Sequence, residues 1–330
     1  MASKGVTFVH LSGGEPTLRD DVGEIAAYAR GLGFEYIQLN TNGLRLAEGG
    51  DYARELADAG VSAVFLQFDG TDDEVFSTLR GRPLFEKKCR AIENCGAALL
   101  GVVLVPTIVP GVNDKKIGNI LRFGVEHIPF VRGIHFQPVT YVGRFPADPD
   151  GLPRITLPEV IAAMEEQTGG QVRADQFSPS SCDHPMCGFH GEFVYAEGAL
   201  KPLFRTRPKE RCCGSGVAMT GAEAVKKSQN FVRFRWTRYK GSATGQSATR
   251  EPGTGSLKAN GPASAGSVAS SSIDAFLDNV QRNGFSISGM AFQDEFNVEL
   301  ARLRHCSVHT YDDGKLIPFC ARNIYHRHAS

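Results

Sequence analysis

Short apolar runs and amphipathic stretches alternate through the first half of the chain. Val6–Leu11 (VTFVHL) is a compact apolar run closed by SGGEP. Behind it, Val22, Ile25, Ala26, Ala29 and Leu32 fall on one helical face, introduced by the capping-box pattern Thr17–Asp20 and stopped at Gly33. Tyr36–Leu39 is the next strand, closed by NTNG, and a helix through Tyr52–Ala59 stops at Gly60. Val61–Phe68 (VSAVFLQF) is a third strand. Thr71 and Glu74 then pattern as another capping box, before a helix with Phe85, Cys89 and Ile92 on one stripe. Gly101–Val105 is a fourth strand, a helix carries Ile117, Ile120, Leu121 and Val125, and Gly133–Gln137 is a fifth strand.

Near-continuous apolar strands separated by amphipathic helices predict a parallel α/β sheet, either open or closed as a barrel. In both architectures ligands sit at the C-terminal ends of the strands. Those ends carry SGGEP, NTNG, FDG, PTIVPG and QPVTYVG, all polar or glycine-rich.

The alternation stops near Gly151. A helix at Thr156–Gln167, opened by the capping box Thr156–Glu159, precedes a cysteine-rich, loop-like region reaching about Gly216. Gly241–Ser272 is rich in Gly, Ser, Ala and Thr without periodicity, the composition of a disordered linker. Helices near Ile273–Asn283 and Gln293–Arg304 lead into a tail whose HTYDDGKLIPF pattern reads as a hairpin turning at Asp313-Gly314. The expected division is a core over 1–150, a cysteine-rich region over 151–240, a linker over 241–272 and a C-terminal unit over 273–330.

Composition narrows the partners. The 36 basic and 36 acidic residues cancel, so overall charge predicts neither a nucleic-acid nor a membrane partner. The N-terminus lacks a secretory h-region, and the most apolar run, Ala97–Val112, is interrupted by Pro106 and Pro110. A soluble, cytoplasmic protein is expected. Lys226–Lys240 (KKSQNFVRFRWTRYK) alternates Val232, Phe234 and Trp236 with basic residues, which reads first as a charge-protected edge strand and second as a site for lipid phosphate. Eight cysteines without a secretion signal are buried thiols or metal ligands rather than a disulfide scaffold.

Chemistry enters at the first strand end. Two glycines in Ser12-Gly13-Gly14-Glu15-Pro16 allow close ligand approach, and Glu15 sets a carboxylate at the rim; a tight turn with a solvated glutamate is the plainer alternative. HLSGGEPTLRDD, LNTNG, FLQFDG, VLVPTIVPGVND and FQPV follow in this order over Val6–Arg144, and the chain so resembles the core of radical S-adenosylmethionine (SAM) enzymes. HPMCG and CSVHTYDDGKLIPFCARN extend the resemblance toward the branch of tetraether lipid synthases and pterin-biosynthesis methylases.

The resemblance implies a partial (β/α)6 barrel holding SAM and a [4Fe–4S] cluster, whose electron cleaves SAM to a 5′-deoxyadenosyl radical that abstracts hydrogen from an unreactive carbon. It places Ser12, Gly13, Gly14, Glu15 and Pro16 at the methionine end of SAM, with Glu15 on its ammonium. Asn40, Asn42 and Asp69 sit where they could meet ribose or substrate, or equally serve as turn-stabilising side chains. Val103–Pro106 is placed as the adenine wall. The chain departs from the family in one respect: it has no C-x3-C-x2-C motif and no cysteine before the SGGEP strand. Its five strands match the family's second to sixth, so the expectation is a truncated core lacking the first strand and its cluster loop, inactive as given.

Six cysteines cluster late: Cys182, Cys187, Cys212, Cys213, Cys306 and Cys320. Thiolates bind iron–sulfur clusters tightly and loops let dispersed cysteines converge, so an auxiliary metal centre is expected, with small buried hydrophobes as the alternative. Adjacent Cys212 and Cys213 rarely serve one metal together. Cys89 and Cys95, six apart on a helix, fit the core, and His309 and His326 fit structural or surface roles. The expected activity is C–C coupling or methylation of a lipid chain or a pterin, driven by a ferredoxin or flavodoxin; the rival is a catalytically dead barrel that binds metal or a protein partner. An aldolase or isomerase barrel would need a catalytic lysine or a metal-ligand set at the strand ends, and the five rim segments contain no lysine.

Overall fold

A computed structural model describes residues 6–142, 151–180, 183–203 and 273–325. Cys182, Cys212, Cys213, the basic stretch Lys226–Lys240, the linker Gly241–Ser272 and His326 lie outside the described residues. Strand and helix alternate as the apolar pattern requires: β1 (Phe8–Leu11), α1 (Val22–Gly31), β2 (Tyr36–Thr41), α2 (Gly50–Asp58), β3 (Ala63–Gln67), α3 (Asp73–Arg80), α4 (Phe85–Ala97), β4 (Gly101–Val105), the two-residue β5 (Thr107–Ile108), α5 (Ile117–Glu126) and β6 (Val131–Pro138). α6 (Leu157–Gln167) follows, with both halves of the Thr156–Glu159 capping box formed.

The strands order as β1-β2-β3-β4-β6, all parallel. The sheet continues into a region where the sequence suggests loops. β10 (Gly284–Met290) pairs parallel with β6, and β8 (Gly188–Ala196) pairs antiparallel with β10. β7 (Ser178–Pro179) and β9 (Ala199–Pro202) flank β8. The expected loop character of the cysteine-rich region is therefore corrected: Phe189, Phe193, Phe285 and Ile287 alternate into the core as strand residues do. The fold is mixed α/β with a largely parallel sheet. α7 (Ile273–Asn283) matches the expected helix, whereas the next one is only α8 (Leu300–Arg304). The hairpin is present as β11 (His309–Asp312) and β12 (Lys315–Pro318), with Asp313 and Gly314 both at positive φ, followed by α9 (Phe319–Tyr325).

One apolar core lies between the helices and one face of the sheet. Val22, Ala26, Leu56, Ile92, Ile120 and Leu121 pack from the helices onto Ile37, Leu39, Val64, Leu66, Leu104, Ile134 and Phe136 of the strands. Because side chains alternate along a strand, His10, Gln38, Phe65, Val103 and His135 face the other way. A bulge at the β4–β6 pairing matters here. Val102 pairs with Val131 but Val103 pairs with Gly133, so β6 carries one extra residue and reverses which of its side chains face the core. Val131 points to the core before the bulge, Ile134 and Phe136 after it, and His135 is turned to the uncovered face.

Candidate functional site

The SGGEP segment runs from the end of β1 into a 3-10 turn over Pro16–Leu18. Gly13 has φ +154°, a conformation L side chains rarely adopt, and a Cβ on Gly13 or Gly14 would meet no atom within 4 Å. Ser12, Gly13 and Gly14 are exposed. They and Leu11, Glu15, Pro16, Arg19, Val22 and Ile25 line a cavity of about 240 Å³ open to the rim. An open cradle of glycine backbone is what close approach of a ligand requires.

Glu15 faces inward along this rim. Its Oε1 accepts from Thr17 N (3.0 Å), Thr17 Oγ1 (2.6 Å) and Thr41 Oγ1 (2.7 Å), and its Oε2 accepts from Asn42 N (2.6 Å). A carboxylate offers about four acceptor directions, and four donors here come from the protein itself. Glu15 thus joins the SGGEP turn to the NTNG turn that ends β2. Gly43, at φ +76°, lets the NTNG chain pass Leu66, whose Cδ1 would lie 2.3 Å from a Cβ there. Asn42 Oδ1 accepts from Leu44 N (2.9 Å), so this side chain stabilises the turn, whereas Asn40 Nδ2 donates to Ser12 Oγ (3.4 Å) at the exposed rim.

The sequence reading missed Lys88. This α4 residue is fully buried, and its Nζ donates to the Asn42 carbonyl at 2.6 Å. Burial lowers its pKa to about 8, with nearby Asp69 opposing the shift. The only cue in the sequence is that Lys88 lies one position from Cys89 and four from Ile92, near the buried stripe of α4.

Asp69 is placed differently from the rim position expected of it. It is fully buried, its Oδ2 and Oδ1 accept from Arg80 Nε (2.7 Å) and Nη2 (3.0 Å), and Oδ1 also accepts from Thr107 N (3.0 Å). In this arrangement Asp69 is a structural ion-pair partner. Val103 and Val105 are buried on the face of the sheet away from the helices.

Cys187, Cys306 and Cys320 come from separate segments. Cys187 Sγ accepts from Arg302 Nε (3.3 Å), Cys320 Sγ accepts from Gln293 N (3.3 Å), and Cys306 Sγ donates to the Val308 carbonyl (3.0 Å). Burial raises the Cys320 thiol, with smaller contributions from Cys306 and Cys187, which places the three in one neighbourhood. Among the described residues no group of three or more His, Cys, Asp or Glu is arranged to hold a metal ion. Cys95 is buried in the core and Cys89 packs against it, with their thiols pushed up to about 12 and about 11 by desolvation. No helix among the described residues is long and apolar enough to cross a membrane.

The rim geometry suits the close approach of a SAM-like ligand to glycine backbone. A catalytic iron–sulfur cluster is not accounted for by the residues present, because the chain has no C-x3-C-x2-C spacing. Comparison with known proteins bears on both points. The radical SAM superfamily model matches residues 1–124. The chain is 32% identical to the 7,8-dihydro-6-hydroxymethylpterin dimethyltransferase of Methanocaldococcus jannaschii over 351 aligned positions, covering 97% of this chain and 67% of that protein. It is 30% identical to the GTP 3′,8-cyclase of Listeria monocytogenes serotype 4b over 148 positions, 43% of each chain. A solved radical SAM methyltransferase from Sphaerobacter thermophilus aligns at 17% identity and TM-score 0.34 over 49% of this chain and 48% of its own, too slight a likeness to build on. Members of the matched family use SAM and [4Fe–4S] clusters. With that family model over SGGEP and NTNG, and 97% of this chain aligned with two thirds of the Methanocaldococcus methyltransferase, the chain belongs to the radical SAM superfamily.

Proposed function

We propose that this radical SAM enzyme methylates a pterin. The observation that carries the reading is the alignment of 97% of the chain with an archaeal pterin dimethyltransferase, whereas the cyclase alignment covers less than half. The lipid-chain substrate and the inactive-barrel alternative receive no support from these relatives and are not carried further.

Within this reading the sheet is a partial barrel. Side chains from alternate strands meet over the uncovered face, as the layers of a barrel interior do: His10 and Phe65 have ring centroids 5.7 Å apart, and Phe65 and His135 5.8 Å. SAM bound beside a reduced iron–sulfur cluster would supply the one-electron chemistry for an unactivated C–H bond; the described residues account for the SAM side of that arrangement and not for the cluster's ligands. Gly13 and Gly14 admit the methionine end of SAM to the backbone, and Ser12 and Asn40 offer hydroxyl and amide groups beside it. Glu15 holds the two rim turns in register through its bonds from Thr17, Thr41 and Asn42. Cys187, Cys306 and Cys320 are the described cysteines that an auxiliary iron–sulfur centre would draw on, although as placed they do not close around a metal, and a ferredoxin or flavodoxin is the electron source in this reading.

The test is genetic and chemical. Deleting the coding sequence in its host should remove methylated pterins from small-molecule extracts, and restoring it should return them. Replacing Gly13 and Gly14 by valine at the locus should mimic the deletion, because a side chain there fills the cradle. An unchanged methylated-pterin pool in the deletion strain contradicts the reading.

A further inference from the structure

The uncovered face of a closed parallel barrel is ordinarily filled with branched aliphatic side chains. One layer below the rim, this sheet departs from that rule. His10 pairs with Gln38 in the β1–β2 register, directly beneath the Ser12–Asn40 contact. Gln38 Nε2 lies 3.1 Å from His10 Nε2. Across β2, Phe65 stands edge-on to His10 with an interplanar angle of 68°, and His135 tilts over its other side at 41°. His135 Nδ1 is 2.9 Å from Ser288 Oγ on β10. Gln38, Phe65, His135 and Ser288 are half-buried and His10 is exposed, so the layer is open rather than packed shut.

Several features make this arrangement hard to read as core. The β6 bulge is what brings His135 to this face, and without it the helix-side apolar set would point here. Gly133 lets β10 approach closely, since a Cβ there would lie 2.3 Å from Ser286 Oγ, and β10 in turn presents Ser288. Desolvation pushes both imidazoles down to about 4, with the charge of His10 adding to the shift of His135, so each is neutral at pH 7. Neutral imidazoles can donate on one nitrogen and accept on the other. An aromatic face flanked by such groups, an amide and a hydroxyl suits a flat ring with alternating donors and acceptors on its edge.

Resting on the pterin reading above, we propose that Phe65, His10, Gln38, His135 and Ser288 form the floor that binds the planar nitrogen heterocycle of the substrate. The ring stacks on Phe65, and its polar edge is met by Gln38 and the two imidazoles. The Ser12–Asn40 contact lies one residue pair above this floor, at the end of the same two strands.

Titration of the full chain with fluorescent 6-hydroxymethylpterin tests this, with guanosine as a second arm. Phe65→Leu, which keeps an apolar side chain but removes the π face, and His135→Ala should each weaken pterin binding about tenfold. Tyr28→Ser, exposed on α1, should leave binding unchanged, and thermal melts should show all three variants folded. Wild-type-like titration of both floor variants overturns the proposal while leaving the methylation reading intact. Guanosine bound in place of pterin, with the same dependence on Phe65, supports a heterocycle floor and removes the pterin assignment. Binding of neither ring by the folded wild type overturns the floor outright.

Discussion

Both backbone polar groups of Asn42 are held by ionisable side chains, the N–H by Glu15 and the carbonyl by Lys88. One comes from the glycine-rich motif at the end of β1 and the other from deep in α4, so the two rim turns share a single anchorage. The consequences differ in sign. Lys88 is held near 8 against an ordinary 10.5, so between those values the unfolded chain binds more protons and stability rises with pH. In Lys88→Met that rise disappears: the wild-type melting temperature should gain on the variant between pH 8 and 10, and parallel curves would contradict the assignment. Glu15→Gln replaces an acceptor-only group by one that points an N–H at donors. Chemical denaturation should show a loss of about 1–3 kcal/mol, as for an unsatisfied buried hydrogen-bonding group. Asp69 illustrates the limit of reading a residue from its place in a motif. FDG puts a carboxylate after β3, but only the fold shows that Arg80 and Thr107 enclose it.

At the scale of elements, the parallel strands and their helices were legible because buried strands are continuous apolar runs and the helices are amphipathic. Helix starts were less so. Thr156 caps α6 as its spacing indicates, but α3 is capped by Asp72, whose Oδ1 accepts from Val75 N (3.2 Å), one residue after the Thr71 that the pattern favours. Pro16 opens a 3-10 turn, so Thr17 bonds back to Glu15 and α1 begins later, after Asp21. Asp72→Ala should therefore cost about 1 kcal/mol in denaturant unfolding and Thr71→Ala less than about 0.5 kcal/mol; the reverse order would contradict the observed cap. β8 and β10 escaped notice for a different reason. GFHGEFVYA and GFSISGM carry only two core-facing aromatic or aliphatic anchors each among glycines, serines and a histidine, and the β10 pairing that joins them to β6 spans more than a hundred residues of sequence. The polar members of that alternation, invisible as a strand pattern, are the ones that give the uncovered face its chemistry.

Over the whole molecule, the C-terminal segment completes the sheet rather than following it. Besides the β6–β10 pairing, fully buried Asp294 accepts from Tyr141 N (3.1 Å) and from Arg154 Nη1 (2.9 Å) and Nη2 (3.2 Å), tying the segment after β10 to the chain leaving β6. Removing one partner of a buried pair costs about 3–5 kcal/mol, but Arg154 keeps 36% of its side-chain exposure, so Asp294→Ala should cost about 2 kcal/mol in equilibrium unfolding. A neutral effect would mean that the two segments are held independently. The same arrangement brings Ser288 of β10 against His135 of β6, so the proposed floor exists only when the C-terminal strand is docked. In the proposed arrangement rim and floor form one site, with SAM and a pterin bound together. Hydrogen–deuterium exchange of the full chain, with and without SAM plus 6-hydroxymethylpterin, should show slowed exchange in Phe8–Pro16, Tyr36–Gly43, Ala63–Gln67, Val131–Pro138 and Gly284–Met290 together; protection confined to other segments, or none at saturating ligand, would mean that rim and floor are not one site.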